Sequence, residues 1–407
     1  MVPSAVLEGD RAPLDGSLPS QVAHGVESRS LGVYLHVPFC AARCGYCDFN
    51  TYTAQELRGV SQASYPQHAM AELALAKRVM DDAGMGHRAL STVFFGGGTP
   101  TLLGPGPLVE LLHKTVDTFA LTEGAEVSVE ANPDSVTADD LMALARGGFT
   151  RVSLGVQSAN SHVLSVLDRT HDPARVPEAV EAARDAGLQV SLDLIYGSPG
   201  ETLTMWEDTL GYALDLEPDH LSAYALIVEP GTALARRISR GELETPLDDV
   251  HADMYLTTEA VLAQAGFSWY EISNWAKGEH FESRHNRTYW DSGDWWGIGP
   301  GAHSHLGGVR WWNVKHPAAY ATRLLGQHSP ALGREVLTDK DRSLERILLG
   351  IRMREGIPKD WVTSDKAPFV AEAISRGLLV GSEALQGRYT LTLQGRLVAD
   401  YVARELT

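Results

Sequence analysis

The chain has 407 residues, of which 44% are hydrophobic and 21% charged, and its formal net charge is −18. That length allows one large domain plus a smaller one, while the acidic balance without any basic stripe excludes nucleic-acid binding driven by backbone phosphates. No uninterrupted apolar run approaches the roughly eighteen residues needed to span a membrane, and the absence of a disulfide pattern fits a reducing cytosol, so a cytoplasmic protein is expected.

Residues 1–30 are rich in Pro, Gly, Ser and charge. They lack a positive segment followed by an apolar core, so a disordered leader rather than a signal peptide is expected. From residue 31 to about 230 the pattern alternates. Short apolar runs at Gly32–Val37, Ser91–Phe95, Glu126–Ala131, Arg151–Val156, Gln189–Ile195 and His220–Leu226 predict strands. Helical patterns at Met70–Asp82, Pro107–Phe119, Ala138–Gly147, Pro177–Ala186 and Trp206–Leu216 separate them. Alternating strand and helix implies βαβ units and a parallel sheet. Six such strands predict an α/β fold with an incomplete (β/α)6 barrel, whose chemistry gathers at the C-terminal ends of the strands.

The first strand runs into HVPFCAARCGYCDFN, which holds all three cysteines, Cys40, Cys44 and Cys47. Three thiolates spaced C-x3-C-x2-C can hold three irons of a [4Fe–4S] cube and leave the fourth open to a chelating ligand. The amino and carboxylate groups of S-adenosylmethionine (SAM) provide such a chelate. The competing reading is zinc held by the three cysteines and His36. About fifty residues on, Phe94-Phe95-Gly96-Gly97-Gly98-Thr99-Pro100 ends a strand with three glycines that let backbone approach a ligand closely. A side chain at Gly98 is expected to enter the ligand's space, and zinc alone does not account for this turn. Further polar residues follow predicted strands: Glu130 and Asn132, Gln157, Arg169 and Asp193. Together they can ring one barrel mouth, with Gly197, Pro199 and Gly200 forming a tight turn beside it.

Residues 231–335 read as an accessory region with little periodicity, and seven of the nine tryptophans lie between Trp269 and Trp312. His285, Arg287, Tyr289 and Trp290 stand out there: an iron ligand, a carboxylate partner and stacking surfaces for a flat anionic macrocycle. A structural network around the tryptophans is the alternative. Residues 336–407 predict a helix through Leu344 and Ile351, a second at Phe369–Arg376, a hairpin of Leu378–Val380 with Tyr389–Leu393, and a last helix at Leu397–Leu406, a winged-helix-like α+β unit suited to docking.

HVPFCAARCGYCDFNTY, FFGGGTPTLL, VSLGVQS, DLIYGSPGET, YEISNWA and HNRTYW, in this order, resemble the radical SAM proteins related to oxygen-independent coproporphyrinogen III oxidase, and their heme chaperone branch in particular. The resemblance runs from about residue 31 to the C-terminus. The oxidases carry a further cysteine two positions after the third, where this chain has Phe49, which puts coproporphyrinogen decarboxylation in doubt. By the same resemblance, Tyr34, Tyr46, Gly97, Gly98, Thr99, Glu130, Gln157, Arg169, Asp193 and Ala225 match SAM-contacting positions, and His285, Arg287 and Tyr289 form the heme site. It implies a [4Fe–4S] cluster, SAM and heme, an electron donor for the cluster, and apo-hemoprotein acceptors. It leaves open homodimerisation and membrane association through those acceptors. An anaerobic coproporphyrinogen III dehydrogenase and a radical SAM enzyme acting on RNA are the rival readings in porphyrin and nucleic-acid metabolism.

Overall fold

A computed structural model describes residues 9–57 and 60–407. In chain order its main strands are β1 (Asp10–Arg11), β2 (Leu31–Val37), β3 (Leu90–Gly97), β4 (Leu121–Ala131), β5 (Arg151–Gln157), β6 (Gln189–Tyr196), β7 (His220–Ala225), β8 (Ser268–Glu271), β9 (Asn274–Ala276), β10 (Asp294–Ile298), β11 (His303–Leu306), β12 (Val309–Asn313) and β13 (Ala331–Val336). They form one sheet in the order β1-β13-β12-β11-β10-β2-β3-β4-β5-β6-β7-β9-β8.

The six strands from β2 to β7 are parallel and sequential, each followed by helix, as the alternating pattern predicts. Their pleat sorts the side chains. Val33, Leu35, Val93, Phe95, Val127, Val129, Val152, Leu154, Val190 and Leu192 are buried in the hydrophobic core, alongside helices Tyr65–Asp82, Pro105–Phe119 and Arg175–Asp185. The intervening positions are polar or small, apart from the aromatic Phe94: Gly32, Tyr34 and His36; Thr92 and Gly96; Glu126, Ser128 and Glu130; Arg151, Ser153 and Gly155; Ser191 and Asp193. Period-two alternation therefore points a polar face into the open barrel and an apolar face at the helices.

The accessory residues are integral to this sheet. β10 pairs parallel to β2 as a seventh parallel strand. β11 to β13 continue antiparallel beyond it, and the β8–β9 hairpin extends the other edge. Their short strands are wound around Gly-rich turns, which is why periodicity did not reveal them. The expected disordered leader is also different: residues 9–30 are docked. β1 pairs with β13 at Asp10↔Arg334 and Arg11↔Gly333, and Val22 is fully buried. Completing the β13 edge and filling the core beneath it overrides a composition that looks solvated. Residues 1–8 lie outside the described residues.

In the C-terminal segment, helices Asp339–Gly350, Ala367–Ser375 and Ala399–Leu406 enclose a separate core of Ile347, Ile351, Ile357, Val370, Tyr389 and Val402. The expected hairpin shrinks to a single bridge, Leu379↔Leu391. A short helix, Gly381–Leu385, takes up the turn, and Arg388–Tyr389 pairs instead with Ile357–Pro358.

Candidate functional site

The cysteine loop leaves the top of β2 and is held by its backbone. Cys40 N–H donates to Tyr52 O (3.1 Å), Gly45 N–H to Leu167 O (3.1 Å), and Leu234 N–H to Gly45 O (2.8 Å). All three thiols are half-buried and unbonded to one another. The glycine turn at the end of β3 lies directly under them. Gly98 N–H donates to Val37 O (2.8 Å) and Thr99 N–H to Phe39 O (2.7 Å). A Cβ at Gly98 would sit 2.4 Å from Phe39 O and 3.0 Å from Cys40 Sγ. Gly98 is thus bare because the cluster loop itself crosses it, so a side chain there would meet that loop as well as the ligand's space. Gly97, at φ 115°, sits in a region that favours glycine and donates its N–H to Glu130 Oε2 (3.0 Å).

Arg169 ties the far side of the mouth to this loop. Its guanidinium donates to Cys44 Sγ (3.4 Å), Asn132 Oδ1 (2.6 Å) and Gly155 O (2.8 Å). Asn132 in turn donates to Thr99 Oγ1 (3.4 Å). Gln157 adopts φ 65° at the end of β5, a strained position for a residue with a side chain, and is buried. Asp193 accepts from Ser153 Oγ (2.9 Å). Tyr46 packs half-buried against the small cluster around Val163, Ile195 and Leu226. Ala225 ends β7 opposite Tyr196. Tyr34 lies deeper in the barrel, its hydroxyl 3.0 Å from His36 Nδ1. The structure thus gathers the cysteines and most of the ring residues at one end of the barrel, with Tyr34 below.

Electrostatics at the mouth are set by burial. The Glu130 carboxyl is pushed up to about 7 by desolvation and by the nearby Asp193 charge. Burial together with neighbouring Cys47 and Cys44 pushes the Cys40 thiol up to about 11. Burial likewise raises the Cys47 thiol, so both of these thiols hold their protons until metal displaces them. Among the described residues Arg169 Nε, Ser198 Oγ and Glu201 Oε1 are buried without partners, which is what a site for a polar ligand presents. Three half-buried thiols in one loop, a guanidinium on Cys44 and a bare glycine floor fit a [4Fe–4S] cluster with a zwitterionic ligand on its open iron. The zinc reading fails at its fourth ligand. His36 is buried with both ring nitrogens engaged, Nδ1 with Tyr34 OH and Nε2 with Asn50 O (2.9 Å).

The structure places the residues expected to form the heme site inside the barrel. His285, on helix Arg284–Trp290, is 1% exposed, with Nδ1 2.8 Å from Thr92 Oγ1 and Nε2 2.8 Å from Tyr289 OH. Its ring stacks on Phe94 (5.1 Å) and Tyr34 (6.2 Å), and burial drives its pKa down to about 3. Arg287 pairs with Glu282 and Glu355. In this arrangement the stretch plugs the barrel interior: both His285 nitrogens are hydrogen-bonded and Arg287 is matched by carboxylates. Sequence reading passed over Thr92, which anchors His285, and Asn50, which donates to Pro300 O (2.9 Å) and Lys315 O (2.8 Å) and so joins the cysteine loop to the β10–β11 turn. Asn50 ends the quoted cysteine motif and Thr92 lies in a predicted strand, but neither role is legible there, because each acts through partners about 190 or more residues away.

Comparison with known proteins agrees with this site. The Radical SAM superfamily model matches residues 34–213. Heme chaperone HemW of Mycobacterium tuberculosis is 47% identical over 376 residues, 92% of this chain and 94% of that one. Heme chaperone HemW of Bacillus subtilis is 34% identical over 379 residues, covering 91% and 97%. A solved structure of the radical SAM coproporphyrinogen III oxidase HemN from Escherichia coli shares the fold, with a TM-score of 0.80 over 95% of this chain and 92% of that one at 24% identity. On these similarities the chain belongs to the heme chaperone HemW family of radical SAM proteins.

Proposed function

We propose that this chain is a [4Fe–4S]- and SAM-binding heme chaperone, which takes up heme as cargo and delivers it to apo-hemoproteins. The observation that carries the reading is the 47% identity, across nearly the full length of both chains, to a protein named heme chaperone HemW. Phe49 supports it against the oxidase alternative: the position where the oxidases have a further cysteine is here an apolar side chain, 60% exposed.

When bound and reduced, the cluster supplies one electron to a sulfonium ligand. The chain's own residues hold and orient. Cys40, Cys44 and Cys47 bind three irons; Arg169 offsets thiolate charge at Cys44. Gly97, Gly98 and Thr99 admit the ligand against bare backbone, and Glu130 and Asp193 offer carboxyls to its polar groups. The electron comes from an outside donor. We place the protein in the cytoplasm; among the described residues no helix is long and apolar enough to cross a membrane, so any membrane association would run through acceptors.

The test is anaerobic reconstitution with iron and sulfide, then three assays on one sample: heme binding, heme transfer to an apo-hemoprotein, and coproporphyrinogen turnover. Heme transfer without turnover is expected. Turnover tied to SAM cleavage would overturn the chaperone reading in favour of the oxidase.

A further inference from the structure

We infer that Glu72, on helix Tyr65–Asp82, is a positioning residue for the cluster: it fixes the turn at Gly299, Pro300 and Gly301, and that turn clasps both ends of the cysteine segment. The inference rests on the [4Fe–4S] reading of the three cysteines. Glu72 is 1% exposed, and its hydrogen-bond partners are all neutral donors. Gly299 N–H (2.8 Å) and Tyr320 O–H (2.5 Å) reach Oε2, while Asn313 Nδ2 (2.8 Å) reaches Oε1. Asn313 Nδ2 also donates to Gly299 O (2.9 Å), so both backbone polar groups of Gly299 are held. A buried carboxyl without a counter-ion is costly unless hydrogen bonds satisfy it, and burial pushes its pKa up to about 7. Three donors with no acceptor among them match a carboxylate, which accepts at both oxygens. A Gln amide would turn a donor towards one of them.

The turn that Glu72 holds touches the cysteine segment where it begins and where it ends. At the entry, a Cβ at Gly299 (φ 112°) would lie 2.5 Å from His36 O. Tyr65 O–H, on the same helix as Glu72, donates to that oxygen (2.7 Å). At the exit, Asn50 Nδ2 donates to Pro300 O (2.9 Å), and a Cβ at Gly301 (φ 76°) would lie 2.5 Å from the same amide nitrogen. His36 Nε2 lies 2.9 Å from Asn50 O and ties entry to exit. Cys40, Cys44 and Cys47 all fall between these two residues. Contacts this close leave the turn no room to shift without moving both ends of the ligand loop.

The three sulfurs must keep the spacing of one cube's irons, so residues that fix the ends of their loop act on the cluster without touching it. Supporting partners of this kind typically matter by roughly 10- to 100-fold in metal affinity.

The experiment reconstitutes the full chain and its Glu72→Gln, Asn50→Ala and double variants anaerobically with iron and sulfide. It then times iron loss to a chelator and records the EPR spectrum of the dithionite-reduced cluster with SAM. Glu72→Gln should speed iron loss by about tenfold, the equivalent of one hydrogen bond to a charged group, and alter the spectrum. Asn50→Ala should do the same from the other end of the clasp. Because both act through one turn, the double variant should lose iron little faster than the worse single variant. If Glu72→Gln does not fold, Tyr320→Phe, which removes one donor from the same carboxylate, takes its place in the cycle. Effects that multiply in the double variant, or a lowered Tm with a parent-like cluster lifetime and spectrum, would overturn the clasp and leave the cluster reading standing. A parent chain that takes up no iron and sulfide would overturn both.

Discussion

Replacing Gly98 with alanine tests whether the glycine turn supports the cluster loop. The new Cβ would lie 2.4 Å from Phe39 O and 2.8 Å from Phe39 C, about 1 Å short of the ~3.5 Å heavy-atom contact distance. The obstacle is backbone, so no rotamer change relieves it. Either the Phe39–Cys40 peptide moves or the end of β3 does. Overpacking of this kind costs about 1–3 kcal/mol. Movement also strains the 2.8 Å bond from Gly98 N–H to Val37 O and the 2.7 Å bond from Thr99 N–H to Phe39 O, each worth about 1 kcal/mol. Together these give about 2–5 kcal/mol against the ligating loop geometry, or about thirtyfold and upward in its population at tenfold per 1.4 kcal/mol. Anaerobic reconstitution followed by timed loss of iron to a chelator reads this directly: Gly98→Ala should load less iron and lose it faster. Gly106→Ala is the control, because nothing lies within 4 Å of its Cβ in helix Pro105–Phe119. It should be neutral or stabilise by about 0.4–1 kcal/mol. If Gly98→Ala holds a full cluster for as long as the parent does, the close crossing does not constrain the site.

Arg169→Lys should leave a foldable chain with a labile cluster, since one ammonium cannot reach Cys44, Asn132 and Gly155 together; cluster lifetime checks it, and a parent-like lifetime would remove Arg169 from the site. Burial and the Asp193 charge push the Glu130 pKa up to about 7, above its ordinary value of 4.5. Native chain therefore binds more protons than unfolded chain between those values, and stability falls as pH rises through that window. Glu130→Gln should accordingly raise the apo-protein Tm most at pH 8, with the gain shrinking towards about pH 5; a pH-independent difference would contradict the assignment. His285→Ala should destabilise by about 2–4 kcal/mol, because it strands the buried Thr92 and Tyr289 hydroxyls and removes stacking on Phe94. Urea unfolding measures it, and a loss under about 0.5 kcal/mol, the scale of an ordinary surface change, would show that the plug is dispensable.

Local sequence was sufficient for the parts of this protein governed by local physics. Period-two and period-3.6 patterns located all six barrel strands and the longer helices between them, though not the short helix Ser161–Val166, because each strand buries one face against its own neighbours. The cysteine spacing pointed to its chemistry, because all three cysteines sit within one eight-residue stretch of chain. The outcome differed wherever a residue's role depends on a distant partner. Residues 10 and 11 look solvated but complete a sheet edge with residues 333 and 334. The tryptophan-rich stretch has no clean period, yet it supplies the strand that pairs with β2. His285 reads as an exposed ligand beside Arg287 and Tyr289, but helix 284–290 turns it into the barrel, where Thr92, nearly two hundred residues earlier, takes up one nitrogen and Tyr289 the other. A histidine's availability is decided by which hydrogen-bond partners surround it, and that is fixed only when strands far apart in sequence close around the same interior.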